Sequence, residues 1–211
     1  MPQIFKSGKI KKIIMLTKKI HKNFVYDRRM NLLSDCFAAN LETGDRVLDI
    51  GCGDGKIDSL IMKKVDVTIE GLDVLVRNET YIPVKQFNGK EIPFEDNSFD
   101  TIIIIDVLHH TDDPKQLLRE IKRVAKKNIL IKDHLLNGFL AKGTLKLMDY
   151  VGNSHYGVRL PYNYLTKSEW TEIFRELDLT VLKWDSQLHL YPQPWTLIFD
   201  RNLHFIANLT V

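Results

Sequence analysis

The chain has 211 residues, 44% of them hydrophobic, enough for one sizeable core, which excludes a disordered tail or a disulfide-stapled miniprotein. Thirty Lys and Arg against 27 Asp and Glu leave a net charge of only +3, a balance that does not mark a nucleic-acid binder. Cys36 and Cys52 are too few for a disulfide framework and lack metal-ligand spacing, and no apolar run reaches the roughly eighteen residues of a membrane span, so the cytoplasm is the expected home.

Charge is uneven along the chain. Residues 1–29 carry nine basic side chains and one acid, Asp27, for +8, whereas residues 30–211 sum to −5. Ile10, Ile13, Ile14, Ile20 and Phe24 share one helical face with lysines between them, which predicts an amphipathic basic helix. Ile13 to Leu16 is too short for a secretory segment and is followed by Lys18 and Lys19. A second helix is expected from Asp27 to Asn40, broken by Thr43-Gly44-Asp45.

From there short strands alternate with helices, the pattern of a parallel sheet covered on both faces. Strands are expected at Arg46 to Ile50, Val67 to Asp73, Val84 to Phe87, Asp100 to Asp106 and Asn128 to Lys132, with helices at Lys56 to Lys64 and Pro114 to Lys126. Thr101 to Ile105 is almost purely β-branched, as a central strand buried on both faces requires. Leu135 to Leu165 breaks the rhythm: an inserted helix, Phe139 to Val151, then a loop rich in Tyr and His. Thr166 and Glu169 form a capping-box pattern opening a helix to Leu177, and strands near Leu179 to Trp184 and Thr196 to Phe205 close the sheet. One domain is expected, with basic helices at 1–42, a cofactor-binding core at 43–134, a lid at 135–165 and a helix and hairpin at 166–211.

The first strand runs into Asp49-Ile50-Gly51-Cys52-Gly53-Asp54-Gly55 and directly into a helix, where open α/β sheets bind nucleotide-like ligands. The spacing is Gly-x-Gly-x-Gly, with Lys56 where a dinucleotide fingerprint has its third glycine, which disfavours a nicotinamide-dependent oxidoreductase. Asp49 would repel a pyrophosphate but suits an ammonium or sulfonium. Asp73, ending the second strand, stands where a carboxylate reaches the two hydroxyls of a ribose. A nucleoside with a cationic tail satisfies both acids, and S-adenosyl-L-methionine is such a compound.

Four motifs in order then carry a family resemblance: Val47 to Gly55; Gly71-Leu72-Asp73; Phe87 to Asp100, read as FNGKEIPFEDNSFD; and Val107 to Pro114, read as VLHHTDDP. Over about Thr43 to Asp133 the chain resembles class I S-adenosylmethionine-dependent methyltransferases of the type 11 group, which includes ubiquinone and menaquinone methyltransferases. The resemblance implies a Rossmann-like α/β fold with a seven-stranded, mostly parallel sheet of order 3-2-1-4-5-7-6, strand 7 antiparallel. It implies that Gly51, Cys52 and Gly53 approach the methionine part of the cofactor, with Asp49 near its amino group. Asp73 and Val74 would hold the ribose, Asn88 and Gly89 would cover adenine, and Asp106, Val107 and Leu108 would lie beside the methionine. The family more often has aspartate where Asn88 stands, so an amide oxygen would meet the adenine amino group.

Methyl transfer needs mainly positioning, and a base only when the nucleophile arrives protonated. His134, after the fifth strand, is the first candidate base, with the reading of a hydrogen-bonded loop histidine open beside it. Tyr150, His155, Tyr162 and Tyr164 are candidates for the acceptor pocket or for packing beneath a surface loop. His109 and His110, adjacent on a helix, are expected to diverge and to serve structure, and no metal is expected. The expected activity is methylation of a small organic acceptor, lipid-like or aromatic, at oxygen or carbon rather than nitrogen, with S-adenosyl-L-homocysteine as product. A nucleic-acid methyltransferase using the basic arm and a catalytically silent cofactor-binding protein are the alternatives. The arm itself, residues 1–24, reads as a solvated helix, a foot on an anionic membrane, or an RNA contact.

Overall fold

The computed structural model describes residues 25–153 and 161–211. The basic helix expected over Ile10 to Phe24 and the centre of the insert lie outside the described residues. Helix α1 (Asp27–Ala38) leads into β1 (Arg46–Ile50), α2 (Lys56–Ile61), β2 (Thr68–Asp73), β3 (Val84–Gln86) and β4 (Phe99–Ile105). A 3₁₀ turn at Leu108–His110 precedes α3 (Pro114–Val124) and β5 (Ala125–His134). The insert contributes α4 (Ala141–Asn153), and α5 (Lys167–Glu176), β6 (Thr180–Asp185), α6 (Thr196–Phe199) and β7 (His204–Thr210) complete the chain.

The seven strands form one sheet of order β3-β2-β1-β4-β5-β7-β6, with β7 antiparallel to both β5 and β6 and the other neighbours parallel. This is the order the resemblance implied. Central β4 lies between β1 and β5, pairing Ile102 with Leu48 on one side and with Ile129 on the other. Its isoleucines serve both faces: Ile102 and Ile104 join the core under α3 and α5, and Ile103 joins the core under α1 and α2. That division explains an unbroken apolar run where a one-sided sheet would alternate.

Local signals place the helix starts. Asp113 accepts the Gln116 N–H at 3.0 Å with Pro114 in the first turn, and Thr166 and Glu169 complete the capping box of α5. Helix α5 drives Trp170 and Phe174 into the core, where Trp170 lies against Phe205 and its indole N–H donates to the His134 carbonyl at 3.4 Å.

Two expectations are corrected. The fifth strand begins at Ala125 and continues to His134, so Asp133 and His134 are strand residues in register with Phe205 and His204 of β7. The expected strand at Thr196 to Phe205 is a short helix followed by a strand that starts at His204. Thr196 to Phe199 is an apolar run too short for its period to separate helix from strand. Tertiary contacts decide it: Asp200 accepts the Leu190 and Tyr191 N–H groups and folds the loop back, and Leu190 is buried.

Trp170→Ala removes the largest fully buried side chain and should cost about 3–5 kcal/mol, read as a lower urea midpoint. Thr166→Ala, which opens the capping box, should cost about 1 kcal/mol.

Candidate cofactor and acceptor site

At the carboxyl ends of β1, β2 and β4 the backbone turns away from the sheet, and the glycine loop fills that corner. Gly51 takes φ +76°, and a Cβ there would stand 2.3 Å from Cγ2 of Val107, so only glycine lets the two loops close on each other. Gly53, at φ +62°, donates its N–H to Asp73 at 2.8 Å, and Leu75 donates to the other oxygen of the same carboxylate at 2.8 Å. Asp73 is thereby aimed and buried, with lone pairs to spare for further donors. Val74, Leu75 and Val76 are exposed beyond it, and Val74 faces Gly89. The Asn88 side-chain oxygen accepts the Lys90 and Glu91 N–H groups at 2.8 Å each. It caps its own turn with that oxygen.

Beneath the loop, Asp49 on β1 and Asp58 on α2 are buried against one another. One oxygen of Asp49 and both oxygens of Asp58 have no hydrogen-bond partner among the described residues. Burial, with the neighbouring Asp58 carboxylate, raises Asp49 well above the ordinary range, and burial pushes Asp58 up to about 7. Sequence reading singled out Asp49 and missed Asp58, whose place within the buried turn of α2 was the available signal. Two carboxyls short of donors in a dry corner are suited to a cation. The ammonium of S-adenosylmethionine fits that donor set, and Asp73 fits a ribose. Cys52 is buried in the same corner, and burial first, then the Asp49 charge, pushes its thiol up, so it packs here as an apolar group.

A second polar cluster lies at the ends of β4 and β5. Asp106, with φ +57°, pairs with Arg29 of α1 and with the fully buried Lys132. Burial opposes its ionisation, but Lys132 and Arg29 outweigh it and hold Asp106 well below the usual carboxylate range. The Asp106 carboxylate ties α1 to the sheet. Val107 packs against Gly51, and the Leu108 N–H donates to Asp133 at 3.0 Å.

His109 is buried with Nδ1 2.6 Å from Asp133 and Nε2 3.4 Å from Asp149 of α4. Burial lowers its pKa, yet Asp133 and Asp149 prevail and push it up to about 10, so it is an imidazolium at neutral pH. His110 does not diverge as expected: its ring centroid lies 3.9 Å from that of His109, within the 3₁₀ turn Leu108–His110. Burial and the His109 charge lower it to about 4.

His134 lies edge-on to His109, its Nδ1 3.3 Å from His109 Nδ1. Burial, His109 and Lys132 hold it well below its ordinary value, so it stays neutral. Asp106, His109, Asp133 and His134 bring ligand-type atoms within 4.8 Å of one another, as do His109, His110 and Asp149. Their carboxylates are already engaged by Arg29, Lys132, His109 and the Tyr164 hydroxyl.

The insert closes over this cluster. The Tyr164 hydroxyl donates to Asp149, and the Asn163 N–H donates to the His109 carbonyl at 3.1 Å. Tyr162 and Tyr164 line a cavity of about 430 Å³ together with Leu136, Leu165, Lys142 and Asp112. Tyr150 does not join them; it is exposed on the outer side of α4. His155 lies outside the described residues.

Comparison with known proteins places the chain in a family. The family model described as "Methyltransferase domain" matches residues 22–183. Methyltransferase GfsG of Streptomyces halstedii is 30% identical over 116 residues, covering 48% of this chain and 42% of that protein. Ubiquinone biosynthesis O-methyltransferase of Histophilus somni is 29% identical over 105 residues, covering 43% of this chain and 44% of that protein. In both cases the chain spans less than half the relative's length. The crystal structure of a SAM-dependent methyltransferase from Aquifex aeolicus superimposes with TM-score 0.60 at 18% identity, covering 95% of this chain and 97% of that one, which shows the shared fold.

The folded protein keeps a proton on Asp58 that the unfolded chain loses near pH 4. The native state therefore binds more protons in that interval, and the contribution of Asp58 makes stability fall as pH rises from about 4 through about 7. Asp58→Asn should flatten that slope in urea titrations taken across the same range.

Proposed function

The chain belongs to the methyltransferase-domain family, and from that premise we propose that it moves the methyl group of S-adenosylmethionine to an oxygen or carbon atom of a small organic acceptor held beneath the insert, leaving S-adenosylhomocysteine. The observation that carries this reading is the pair of buried carboxyls under the glycine loop, whose unpartnered oxygens call for a cation next to a carboxylate fit for ribose.

In this reading Asp49 and Asp58 take the ammonium of the methionine part, and Asp73, already aimed by two backbone N–H groups, takes the ribose hydroxyls. Val74, Leu75 and the Gly89 turn offer an apolar slot for adenine, with Asn88 holding the turn in shape. Gly51 and Val107 close the floor, and Cys52 fills the space behind. When bound, the cofactor supplies a methyl carbon already activated by its sulfonium. The protein's task is to hold an acceptor atom in line with that carbon and keep water out. Tyr162 and Tyr164 give the acceptor chamber its aromatic wall.

A protonated acceptor needs a base, and His134 is available as one because it is neutral. Burial first, then the imidazolium of His109, clamped between Asp133 and Asp149, and the ammonium of Lys132 keep it so. His109 is therefore a positioning residue, joining the end of β5 to the insert. The named activity of the Histophilus relative supports oxygen as the acceptor atom.

Asp73→Ala should abolish cofactor binding in calorimetric titration while far-ultraviolet circular dichroism stays unchanged; an unaltered dissociation constant would overturn the assignment. Because the cation needs an ionised carboxylate and Asp58 titrates at about 7, affinity for S-adenosylmethionine should drop about tenfold between pH 8 and pH 6. His134→Ala should lower turnover of a hydroxyl acceptor by about a hundredfold with cofactor affinity intact.

A further inference from the structure

Where the insert meets the ends of β4 and β5, the protein buries ligand-type side chains that take no part in the chemistry described above. His109, Asp133 and Asp149 are each at most 3% exposed. His110 lies beside His109 in the 3₁₀ turn. Two groupings bring such atoms together among the described residues. In the first, Asp106, His109, Asp133 and His134, the carboxylates are already committed: Asp106 to Arg29 and Lys132, and Asp133 to His109 and to the Leu108 and His134 N–H groups. The second, His109, His110 and Asp149, keeps its ligand atoms within 4.8 Å of one another, and its carboxylate has the Tyr164 hydroxyl as its hydrogen-bond donor.

Distances decide what this second grouping suits. His109 Nε2 is buried and has no hydrogen-bond partner among the described residues. It stands 3.4 Å from Asp149 Oδ2, beyond the roughly 2.7–2.9 Å of a hydrogen bond between charged groups. Two ligands of a tetrahedral zinc ion, each about 2.0–2.2 Å from the metal, lie about 3.3 Å apart. The gap between His109 and Asp149 is therefore long for a shared proton and right for a shared ion.

The surroundings are those that hold a ligating histidine. Asp133 meets the opposite nitrogen, Nδ1, at 2.6 Å, and accepts the Leu108 N–H at 3.0 Å and the His134 N–H at 2.6 Å. So fixed, it aims Nε2 at Asp149, the carboxylate–histidine–metal arrangement in which the outer acid also raises the basicity of the ligand. The Tyr164 hydroxyl donates to Asp149 and orients that carboxylate. Two buried acids flank one histidine, a balance that a dication meets more fully than one proton does. The nearby cations Lys132 and Arg29 both turn to Asp106. Two imidazoles with one carboxylate favour zinc over magnesium or calcium, which take oxygen ligands.

We propose that His109, His110 and Asp149 bind a zinc ion, with Asp133 as the outer carboxylate, and that the ion fastens the insert to the end of the sheet. Asp149 comes from α4 and the histidines from the turn after β4, so the ion joins segments 40 residues apart in the chain. Three protein ligands leave the fourth position to water. Zinc and the proton on Nε2 are alternative occupants of one place, and either leaves a positive charge beside His134. The site needs neither cofactor nor acceptor and is independent of the methyl-transfer reading.

The test is calorimetric titration of the full chain, first dialysed against a chelator, with zinc chloride, and a parallel titration with cobalt chloride followed by visible absorption. The wild type is expected to bind one zinc ion per chain with a micromolar dissociation constant or lower, and cobalt to give the intense visible band of a four-coordinate site. With far-ultraviolet circular dichroism unchanged, Asp149→Asn and His110→Gln should each weaken zinc binding about a hundredfold, and Asp133→Asn about tenfold or more. His189→Gln, at an exposed histidine outside the grouping, should bind as the wild type does. Zinc should slow tryptic cleavage after the exposed Lys142 and Lys146 of α4 about tenfold in the wild type and leave it unchanged in Asp149→Asn. Absence of wild-type binding, equal binding by Asp149→Asn and His110→Gln, or displacement of zinc by millimolar magnesium overturns the site. Zinc binding that leaves cleavage after Lys142 and Lys146 unchanged overturns the fastening.

Discussion

The structure depends on a constraint at the centre of the sheet. Strand β1 is paired in parallel on both sides, with β2 and with β4, and the chain can reach both neighbours only by crossing over in opposite directions. The connections leaving β1 and β4 therefore part at their carboxyl ends, and the backbone there has no strand to cover it. The glycine loop and Val107 lie at that gap. The glycine loop has to pass within contact of Val107, which is why Gly51 carries no side chain, and the same turn brings the Gly53 N–H to Asp73.

Two groups of buried charge flank the gap and obey opposite rules. On the α2 side, Asp49 and Asp58 are desolvated without donors, a costly arrangement that eases when a cation arrives or a proton stays. On the β5 side, Asp106 sits between Arg29 and Lys132, and His109 sits between Asp133 and Asp149. Those charges satisfy one another and fix geometry: α1 is held to β4, and α4 is held to the end of β5. The first group is left short of donors among the described residues, and the charges of the second are paired. His134 stands beside the second and inherits its neutrality from the cations around it.

The insert connects these inner charges with the outer surface. Asp149 and Tyr164 anchor it from below, while Leu147, Tyr150, Leu197 and their neighbours face away. A segment fastened by buried polar contacts can leave an apolar outer face without loosening, since its adhesion to the core does not depend on burying that face. This separation lets one helix close over the His109 cluster on its inner side and stay exposed on the other.

Much of this was legible in the chain itself. The four isoleucines of β4 require burial on both faces, Thr166 and Glu169 announce α5, and the spacing of Asp49, the glycines and Asp73 points to a cationic nucleoside, because those signals are local and depend on period, turn chemistry and charge. Partners distant along the chain were not legible: Asp58 opposite Asp49, Arg29 reaching Asp106, or Asp149 closing on His109, 40 residues away. Nor could sequence tell that Thr196 to Phe199 would coil, that His109 and His110 would lie ring against ring, or that Asn88 would spend its oxygen on its own turn. Each of those outcomes follows from which groups the sheet brings within hydrogen-bond reach once the core has closed, and burial then sets the charge they carry.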